Sequence, residues 1–268
     1  MLRNVFSKTL RDLRRTAAWW ILGIVALTAF VVAVYPSVRD NPELNKMVED
    51  YPDVLKAFFG LGQDVDYTSA VGYLNSELFS FMAPLLLLIA AIGAGARATA
   101  GEEERGTLDL LLANPLSRRR LLVDKLAALV AEIAVLGAVL WLSLVLGCHI
   151  VGMHVSAAHL GAASAAAVLL AIVYGAVAVF FGAWLGSRGA AIGITAAGAV
   201  AAYLLNSLGE LVDSLKPLRI ASPFYHYVAQ DALRDGLGLD HVVLLLSVAL
   251  FAASGAVAAF TRRDLHTP

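Results

Sequence analysis

The sequence predicts an all-α integral membrane protein with six transmembrane helices. Of its 268 residues, 59% are hydrophobic and 15% are charged, and its mean hydropathy is +0.75. Soluble domains are typically about 45–50% apolar and about 25% charged, so both values depart in the direction of a membrane protein. Six stretches approach the roughly 20 apolar residues that a helix needs to cross a bilayer. They are residues 17–35, 74–97, 125–151, 159–186, 190–210 and 240–260.

Composition also excludes several classes of function. The formal net charge of −1 implies no basic surface for nucleic acid. Cys148 is the only cysteine, so the chain cannot form a disulfide with itself. The sequence contains no Gly-x-x-x-x-Gly-Lys phosphate loop and so carries no recognisable nucleotide site of its own. The first apolar stretch is too long for the core of a cleaved signal peptide, and we interpret it as an uncleaved span.

The distribution of basic residues predicts the orientation of the spans. With the N-terminus in the cytoplasm, most of the 20 Lys and Arg residues fall on the cytoplasmic side, as expected from the excess of these residues in inner loops. An even number of spans then places the C-terminus in the cytoplasm as well. We expect a single membrane domain over residues 1–268, with an outer segment at 211–239 that is only partly apolar.

The first 16 residues predict an amphipathic helix of their own. Such a helix can lie in the inner headgroup layer before the chain turns into the membrane at Trp19 and Trp20, since aromatic residues favour the interface. The simpler alternative is a basic anchor that only fixes the orientation. The positions that repeat at intervals of three or four, with the basic residues largely elsewhere on the helical wheel, are Leu2, Val5, Phe6, Thr9, Leu10 and Leu13.

The densest block of charge is GEEERGTLDLLLANPLSRRRLLVDK, residues 101–125, between the second and third spans. Its three glutamates suit the positive end of a helix dipole, so we expect a helix to begin there. Leucines at helical spacing form an apolar stripe, and Pro115 ends the helix because the residue before a proline avoids the α region. Ser117 can cap the next helix. The pattern predicts a short cytoplasmic helix over 102–113, within a loop over 98–120, that offers a docking surface; the alternative is a solvated loop whose charges only fix the topology.

This block resembles the cytoplasmic loop after the second span in ATP-binding-cassette type-2 permeases. The resemblance rests on Glu-Glu-Arg-Gly-Thr-Leu, the following Leu-Leu, Pro-Leu-Ser-Arg and a lysine, and extends to the basic N-terminal helix, the six spans and the outer Ser222-Pro223-Phe224. It implies a type-2 ABC exporter permease fold whose loop forms a coupling helix in a groove of a separate ATPase subunit. The coupling residues that it implies are Glu102, Glu103, Glu104, Arg105, Gly106, Thr107, Leu108, Leu111, Leu112, Pro115, Ser117 and Arg118.

The resemblance also implies partners and a direction of transport. Two cytoplasmic ABC ATPase subunits would hold the ATP and Mg²⁺, and a second permease copy, most simply an identical one, would complete a dimer in a bacterial-type plasma membrane. This chain would then be a transport subunit and not an enzyme, and it would move hydrophobic or amphiphilic substrates such as drugs or lipids outward. One branch of the family serves the maturation of a copper enzyme.

Two other classes of function stay open from the sequence. A secondary transporter driven by an ion gradient would need several ionisable groups near the midplane and usually an internal repeat. A metal-related membrane maturation protein or a membrane enzyme would need a convergent polar or metal site.

Glu132 is the charged residue that the sequence places inside a span. A carboxylate in this position costs about 2.5–3.5 kcal/mol on insertion scales unless it is paired or hydrated. It follows Lys125 by about two helical turns, so the two can share a face. We expect a cationic partner near the inner mouth, either Arg97, Arg188 or Lys125; the alternative is a hydrated position close to the interface that only helps helix packing.

A group of potential metal ligands gathers at the outer end of the third span. It consists of Cys148, His149, Met153, His154 and His159, which are ligand types for soft or borderline metals. Their spacing does not place the histidines on one helix face and matches no fixed metal-site pattern. We therefore interpret them as polar residues of a short outer turn and expect no metal site.

Small residues and prolines predict local features of the other spans. Gly182 with Gly186 and Gly189 with Gly193 form Gly-x-x-x-Gly pairs, which favour close packing, here of the fourth span against the fifth around a tight turn. The fifth span is also a candidate dimer face by the family resemblance. Pro84 is expected to kink the second span. In segment 211–239, residues 228–233 can form a short helix, and the resemblance implies that the segment is partly re-entrant.

Overall fold

The described part of the chain is mainly helical. The computed structural model describes residues 5–41, 43–59, 66–104, 106, 117–209 and 211–263, and no strand occurs in these ranges. Six helical segments are long and apolar enough to cross a membrane. They are Arg14–Arg39, Ala70–Ala98, Arg118–Val151, Ala157–Leu185, Arg188–Leu208 and Leu239–Arg262. Each overlaps one predicted span, which confirms the predicted all-α architecture with six spans.

The helices of the described ranges are numbered in chain order. They are α1 (Val5–Arg39), α2 (Glu43–Glu49), α3 (Asp53–Phe59), α4 (Ala70–Leu74), α5 (Met82–Ala98), α6 (Ala100–Glu103), α7 (Arg118–Val151), α8 (Ala157–Leu185), α9 (Arg188–Leu208), α10 (Pro223–Val228) and α11 (Leu239–Arg262). A π-helix, Asn75–Phe79, lies between α4 and α5, and a 3₁₀ helix, Lys216–Ala221, precedes α10. The spans in order are α1, α4 through α5, α7, α8, α9 and α11.

Helix α1 unites the predicted interfacial helix and the first span. It runs without interruption from Val5 to Arg39, so the expected turn into the membrane at Trp19 and Trp20 is wrong. The part of α1 before these tryptophans contains no glycine or proline, and no local feature stops the helix there. As a result, the first turns of α1 extend past the start of the apolar span and lie beside the ends of the second and third spans.

The second span is broken in its N-terminal half and not bent at Pro84. After the π-helix, the backbone leaves helical geometry at Phe81 (φ −141°, ψ −55°), and α5 begins at Met82. Pro84 therefore lies in the first turn of α5, where its missing N–H costs no intrahelical hydrogen bond. The expectation of a kink at Pro84 is wrong for this reason. The break leaves the Phe79 carbonyl to accept a hydrogen bond from the Tyr227 hydroxyl at 2.6 Å.

The second and fourth spans form the centre of the bundle. In each of them 61% of the most apolar window is buried inside the protein, against 17% in the sixth span. Helices α5 and α8 approach closely at Gly95, where a Cβ would lie 2.4 Å from the Gly175 carbonyl oxygen. Small residues permit such contacts in lipid, where the hydrophobic effect does not drive helix association. Close backbone packing of α5 on α8 therefore holds the centre together.

The turn between the fourth and fifth spans is as tight as predicted, but its glycines pack differently. Gly186 ends α8 with φ +67°. Gly182 faces the second span instead of the fifth, since a Cβ there would lie 2.6 Å from Thr99 Oγ1. A Cβ at Gly189 or Gly193 would meet no atom within 4 Å. Small residues therefore join the fourth span to the second, and the prediction that they join it to the fifth is wrong.

Segment 211–239 packs back onto the bundle through a short helix. Pro223 is the first residue of α10, and the Ser222 hydroxyl caps it by accepting a backbone N–H, an arrangement that suits a proline at this position. The short helix predicted over 228–233 is therefore wrong in register, because Pro223 and the serine cap start it earlier. Tyr227 is buried, and burial raises the pKa of its hydroxyl, which keeps it protonated as the donor to the broken second span.

Candidate coupling site

The predicted coupling loop begins with one helical turn directly after the second span. The backbone leaves helical geometry at Thr99 (φ −120°, ψ −75°), and α6 follows as a separate turn. Glu104 closes it by donating its N–H to the Ala100 carbonyl at 2.9 Å. We call residues 100–104 the acidic turn. The longer helix predicted over 102–113 falls mainly on residues 107–113, which lie outside the described residues.

The first glutamate of the acidic turn binds the third span. Glu102 Oε1 lies 2.6 Å from Lys125 Nζ, and the two side chains are 19% and 1% exposed. Charge-assisted hydrogen bonds of this length are stronger than hydrogen bonds between neutral groups. Removing one partner of such a buried pair is costly because it leaves the other charge uncompensated. The pair therefore fixes the C-terminal end of the second span against α7.

The second glutamate binds the end of the sixth span. Arg263 Nη2 donates to Glu103 Oε1 at 2.5 Å, and its Nη1 donates to the Ala183 carbonyl of α8 at 3.1 Å. The guanidinium occupies a notch at Gly186, where a Cβ would lie 2.1 Å from Nη2. Arg118, the first residue of α7, donates to the Arg263 carbonyl at 2.9 Å. Arg263 thus connects the acidic turn with the third, fourth and sixth spans.

The third glutamate binds the start of the fifth span. Glu104 Oε1 accepts the backbone N–H of Arg188, the first residue of α9, at 2.8 Å. The Ser187 hydroxyl accepts the N–H of Ala190. Two of the donors that a helix start leaves without intrahelical partners are therefore satisfied. The carboxylate also lies at the positive end of the α9 dipole, which favours a negative charge.

Together, the three consecutive glutamates connect the second span to the rest of the bundle. Successive residues of a helical turn point about 100° apart around its axis, so neighbouring carboxylates can reach different helices. Each of the three contacts is charge-assisted, and each goes to a different span. The acidic turn therefore contacts the ends of α7, α9 and α11 that lie on its own side of the bundle.

The other predicted coupling residues have mixed outcomes. Ser117 caps α7 by accepting the Arg120 N–H at 3.3 Å, which confirms its predicted role as a cap. Gly106 has φ +64°, a conformation that suits glycine. The remaining ones lie outside the described residues: Arg105, Thr107, Leu108, Leu111, Leu112 and Pro115. Nothing in the sequence pattern indicated that the glutamates would contact Lys125, Arg188 and Arg263.

Glu132 is buried in the third span without a hydrogen bond from the described residues. Glu132 is 5% exposed, and neither of its carboxylate oxygens accepts a hydrogen bond from the described residues. Of the three expected cationic partners, Lys125 is paired with Glu102, and Arg97 is the one that acts electrostatically on Glu132.

The potential metal ligands at the outer end of the third span do not converge. The Cys148 thiol contacts the Met153 thioether, with 3.9 Å between the sulfur atoms. His149 and His154 are exposed. Among the described residues, no group of three or more His, Cys, Asp or Glu side chains is placed to hold a metal ion.

An apolar groove lies in the half of the bundle opposite the acidic turn, beside the break in the second span. Its volume is about 90 Å³, and its lining is almost entirely apolar. Phe81 and Leu88 line it from the second span, Tyr203 from the fifth, and Phe224 from α10. The ring of Tyr203 packs against those of Phe81 and Phe224, with centroids 5.8 and 5.4 Å apart. The groove can accept an apolar chain or ring.

Six spans with a charged turn at one end define a multi-pass membrane protein. The chain belongs to the ABC-2 transporter family: the model of this family, described as ABC-2 family transporter protein, matches residues 3–265. No curated protein gives a match to the chain. Membership makes the protein a membrane permease subunit of an ABC transporter, with an ABC ATPase subunit as its partner. The family resemblance of the sequence is thereby confirmed.

Proposed function

We propose that this permease is the membrane half of an ATP-driven exporter of amphiphilic molecules. Two copies of the chain pair with two cytoplasmic ATPase subunits, and both termini of each copy lie in the cytoplasm. The ATPases bind and hydrolyse ATP with Mg²⁺, and the permease supplies the path through the membrane. The observation that carries the proposal is the acidic turn, which connects the predicted docking loop to three further spans.

The acidic turn is the part of the permease that passes force from the ATPase to the spans. The loop that follows it, over residues 105–116, provides the docking contacts. When the ATPases close on ATP, the loop moves, and the three glutamates carry α7, α9 and α11 with it. Charge-assisted contacts at 2.5–2.8 Å suit this task because they are short and directional.

The apolar groove supports an amphiphilic substrate. Its aromatic and aliphatic lining favours an apolar chain or ring through burial of apolar surface. The groove lies beside the break in the second span and beside the short helix α10. These elements can move relative to the bundle without breaking a continuous transmembrane helix. The position of the groove, in the half of the bundle opposite the acidic turn, supports release on the side away from the ATPase.

A gradient-driven transporter is disfavoured by the scarcity of buried charge. In the described residues, Lys125 and Glu132 are the buried charged side chains, and Lys125 is already paired with Glu102. One remaining carboxylate does not make the set of midplane groups that ion coupling requires.

The experiment is vectorial transport by the permease–ATPase complex in proteoliposomes. A fluorescent amphiphile should move from the ATPase side to the opposite side only with ATP and Mg²⁺. Glu103→Gln should lower the amount transported per ATP hydrolysed, because it weakens the contact with Arg263 while leaving the ATPase intact. Asp124→Asn, which removes a carboxylate of α7 outside the acidic turn, is the matched control. Transport driven by an ion gradient without ATP would refute the exporter, and an unchanged transport-to-hydrolysis ratio in Glu103→Gln would refute the coupling role.

A further inference from the structure

A polar cavity lies at the inner end of the bundle, between the first turns of α1 and the ends of the second and third spans. Its volume is about 200 Å³, whereas one water molecule needs roughly 10–15 Å³ of such volume. We call it the inner polar cavity. The lining residues that matter for its chemistry are Thr9, Asp12, Arg97, Glu102, Lys125 and Leu129.

The inner polar cavity is at the level where lipid headgroups begin. Asp12 precedes the apolar span that starts at Arg14, and Arg97 is the last residue but one of the span that ends at Ala98. Apolar residues such as Leu129 line its deeper part. A molecule bound there would have its polar part among charged side chains and its apolar part toward the hydrocarbon.

The charges around the cavity are mixed. Arg97 and Lys125 supply two cations, and Asp12 and Glu102 supply two carboxylates. Glu132 adds a third carboxylate that acts on Arg97 from deeper in the span. A ligand with only negative charge would gain from the cations but would be repelled by the carboxylates. A ligand that carries one negative and one positive group matches both sets.

Lys125 and Asp12 leave hydrogen-bonding capacity for such a ligand. An ammonium group has three donors, and Glu102 is the only partner of the Lys125 ammonium among the described residues. Asp12 has no ion pair in the described part of the chain, although its charge acts on Lys125. The cavity thus offers unused donors on one side and an unused carboxylate on the other.

We propose that the inner polar cavity binds the headgroup of a zwitterionic phospholipid from the inner leaflet. The phosphate lies against Arg97 and Lys125, and the ammonium lies against Asp12. The chemistry that is recognised is a phosphodiester joined to a primary amine, as in phosphatidylethanolamine. The site is separate from the apolar groove and does not depend on what the protein transports.

The test measures lipid retention by the delipidated full-length chain in detergent micelles. Phosphatidylethanolamine and phosphatidylglycerol with identical acyl chains are added separately, and bound lipid is counted by native mass spectrometry. The wild type should retain phosphatidylethanolamine in preference to phosphatidylglycerol by about fivefold, the ratio that one partly exposed ion pair can supply. Equal retention of the two lipids would overturn the proposal.

Asp12→Asn tests the amine contact without disturbing the bundle, because Asp12 is exposed and has no ion pair to lose in the described residues. This variant should lose the preference and retain the two lipids equally, whereas Asp124→Asn should keep the wild-type ratio. An unchanged preference in Asp12→Asn would show that Asp12 does not hold the amine and would overturn the assignment.

A soluble headgroup separates a lipid from a small metabolite. Glycerophosphoethanolamine has the same charges but no acyl chains, and it should displace phosphatidylethanolamine only at concentrations at least about a hundredfold higher, because it buries no hydrocarbon. Displacement at equal concentration would overturn the lipid assignment. Because no ATPase or transport takes part in this assay, its failure is distinguishable from failure of the exporter proposal.

Discussion

Replacement of Glu102 by glutamine tests how strongly the acidic turn is held to the third span. The change keeps the size of the side chain and one acceptor oxygen but removes the negative charge. Lys125, with its side chain 1% exposed, then keeps a full positive charge without a carboxylate at contact distance. The loss of this ion pair should therefore lower the stability without any rearrangement of the rest of the acidic turn.

The expected loss of stability is about 3 kcal/mol. Breaking a buried ion pair by removal of one partner costs about 3–5 kcal/mol. The lower end applies here because the Glu102 side chain is 19% exposed, the glutamine can still accept a hydrogen bond, and Asp12 also acts on Lys125. For a chain of this size, each kcal/mol lowers the midpoint of thermal unfolding by roughly 2–4 °C, so the midpoint should fall by about 6–12 °C.

The assay is thermal unfolding of the purified permease in one detergent, with the double variant Glu102→Leu with Lys125→Met as the comparison. Apolar residues of similar volume often replace a buried ion pair without loss, so the double variant should recover most of the lost stability. A midpoint for Glu102→Gln within about 2 °C of the wild type would refute the assignment of this pair as a buried contact in which each charge compensates the other. A double variant that is less stable than Glu102→Gln would refute it as well.

Two further predictions concern glycines at close contacts. Gly95→Ala should separate α5 from α8 and lower the unfolding midpoint in the same assay, because its Cβ would lie 2.4 Å from the Gly175 carbonyl oxygen. The matched control is Gly93→Ala, whose Cβ would meet no atom within 4 Å. Equal effects of the two changes would contradict the close approach of α5 and α8. Gly186→Ala should displace the Arg263 guanidinium and strain a backbone with φ +67°, at a cost of about 1–2 kcal/mol for the conformation alone. An unaltered unfolding midpoint for this variant would contradict the placement of the Arg263 guanidinium against Gly186.

Features that depend on neighbouring residues could be predicted from the sequence. A span is recognised by the length of an apolar run, which is a local property, and all six were found. The Ser117 cap is local too, because the hydroxyl binds an N–H three residues further along the chain. The tight turn after the fourth span follows from Gly186 for the same reason.

Features that depend on how helices meet could not be predicted. The contact between Glu103 and Arg263 joins residues 160 positions apart, and that between Glu104 and Arg188 joins residues 84 positions apart. No periodicity connects such partners, so the sequence indicated a charged loop but not its contacts. Pro84 shows a related limit: a proline predicts a disturbed helix, but the break lies several residues earlier, where the distant Tyr227 hydroxyl donates to the Phe79 carbonyl.

The acidic turn explains why a chain that is so apolar keeps charge between its second and third spans. A docking loop alone would need charge only on the surface that faces its partner. Here each of the three carboxylates that open the loop contacts a cation or a helix end at the start or end of another span. Since such groups are costly to leave unpaired, we propose that the ends of these spans remain joined when the loop moves. On this proposal, a force applied to the loop is distributed among several spans, which is the property that a separate ATPase requires of the membrane subunit it drives.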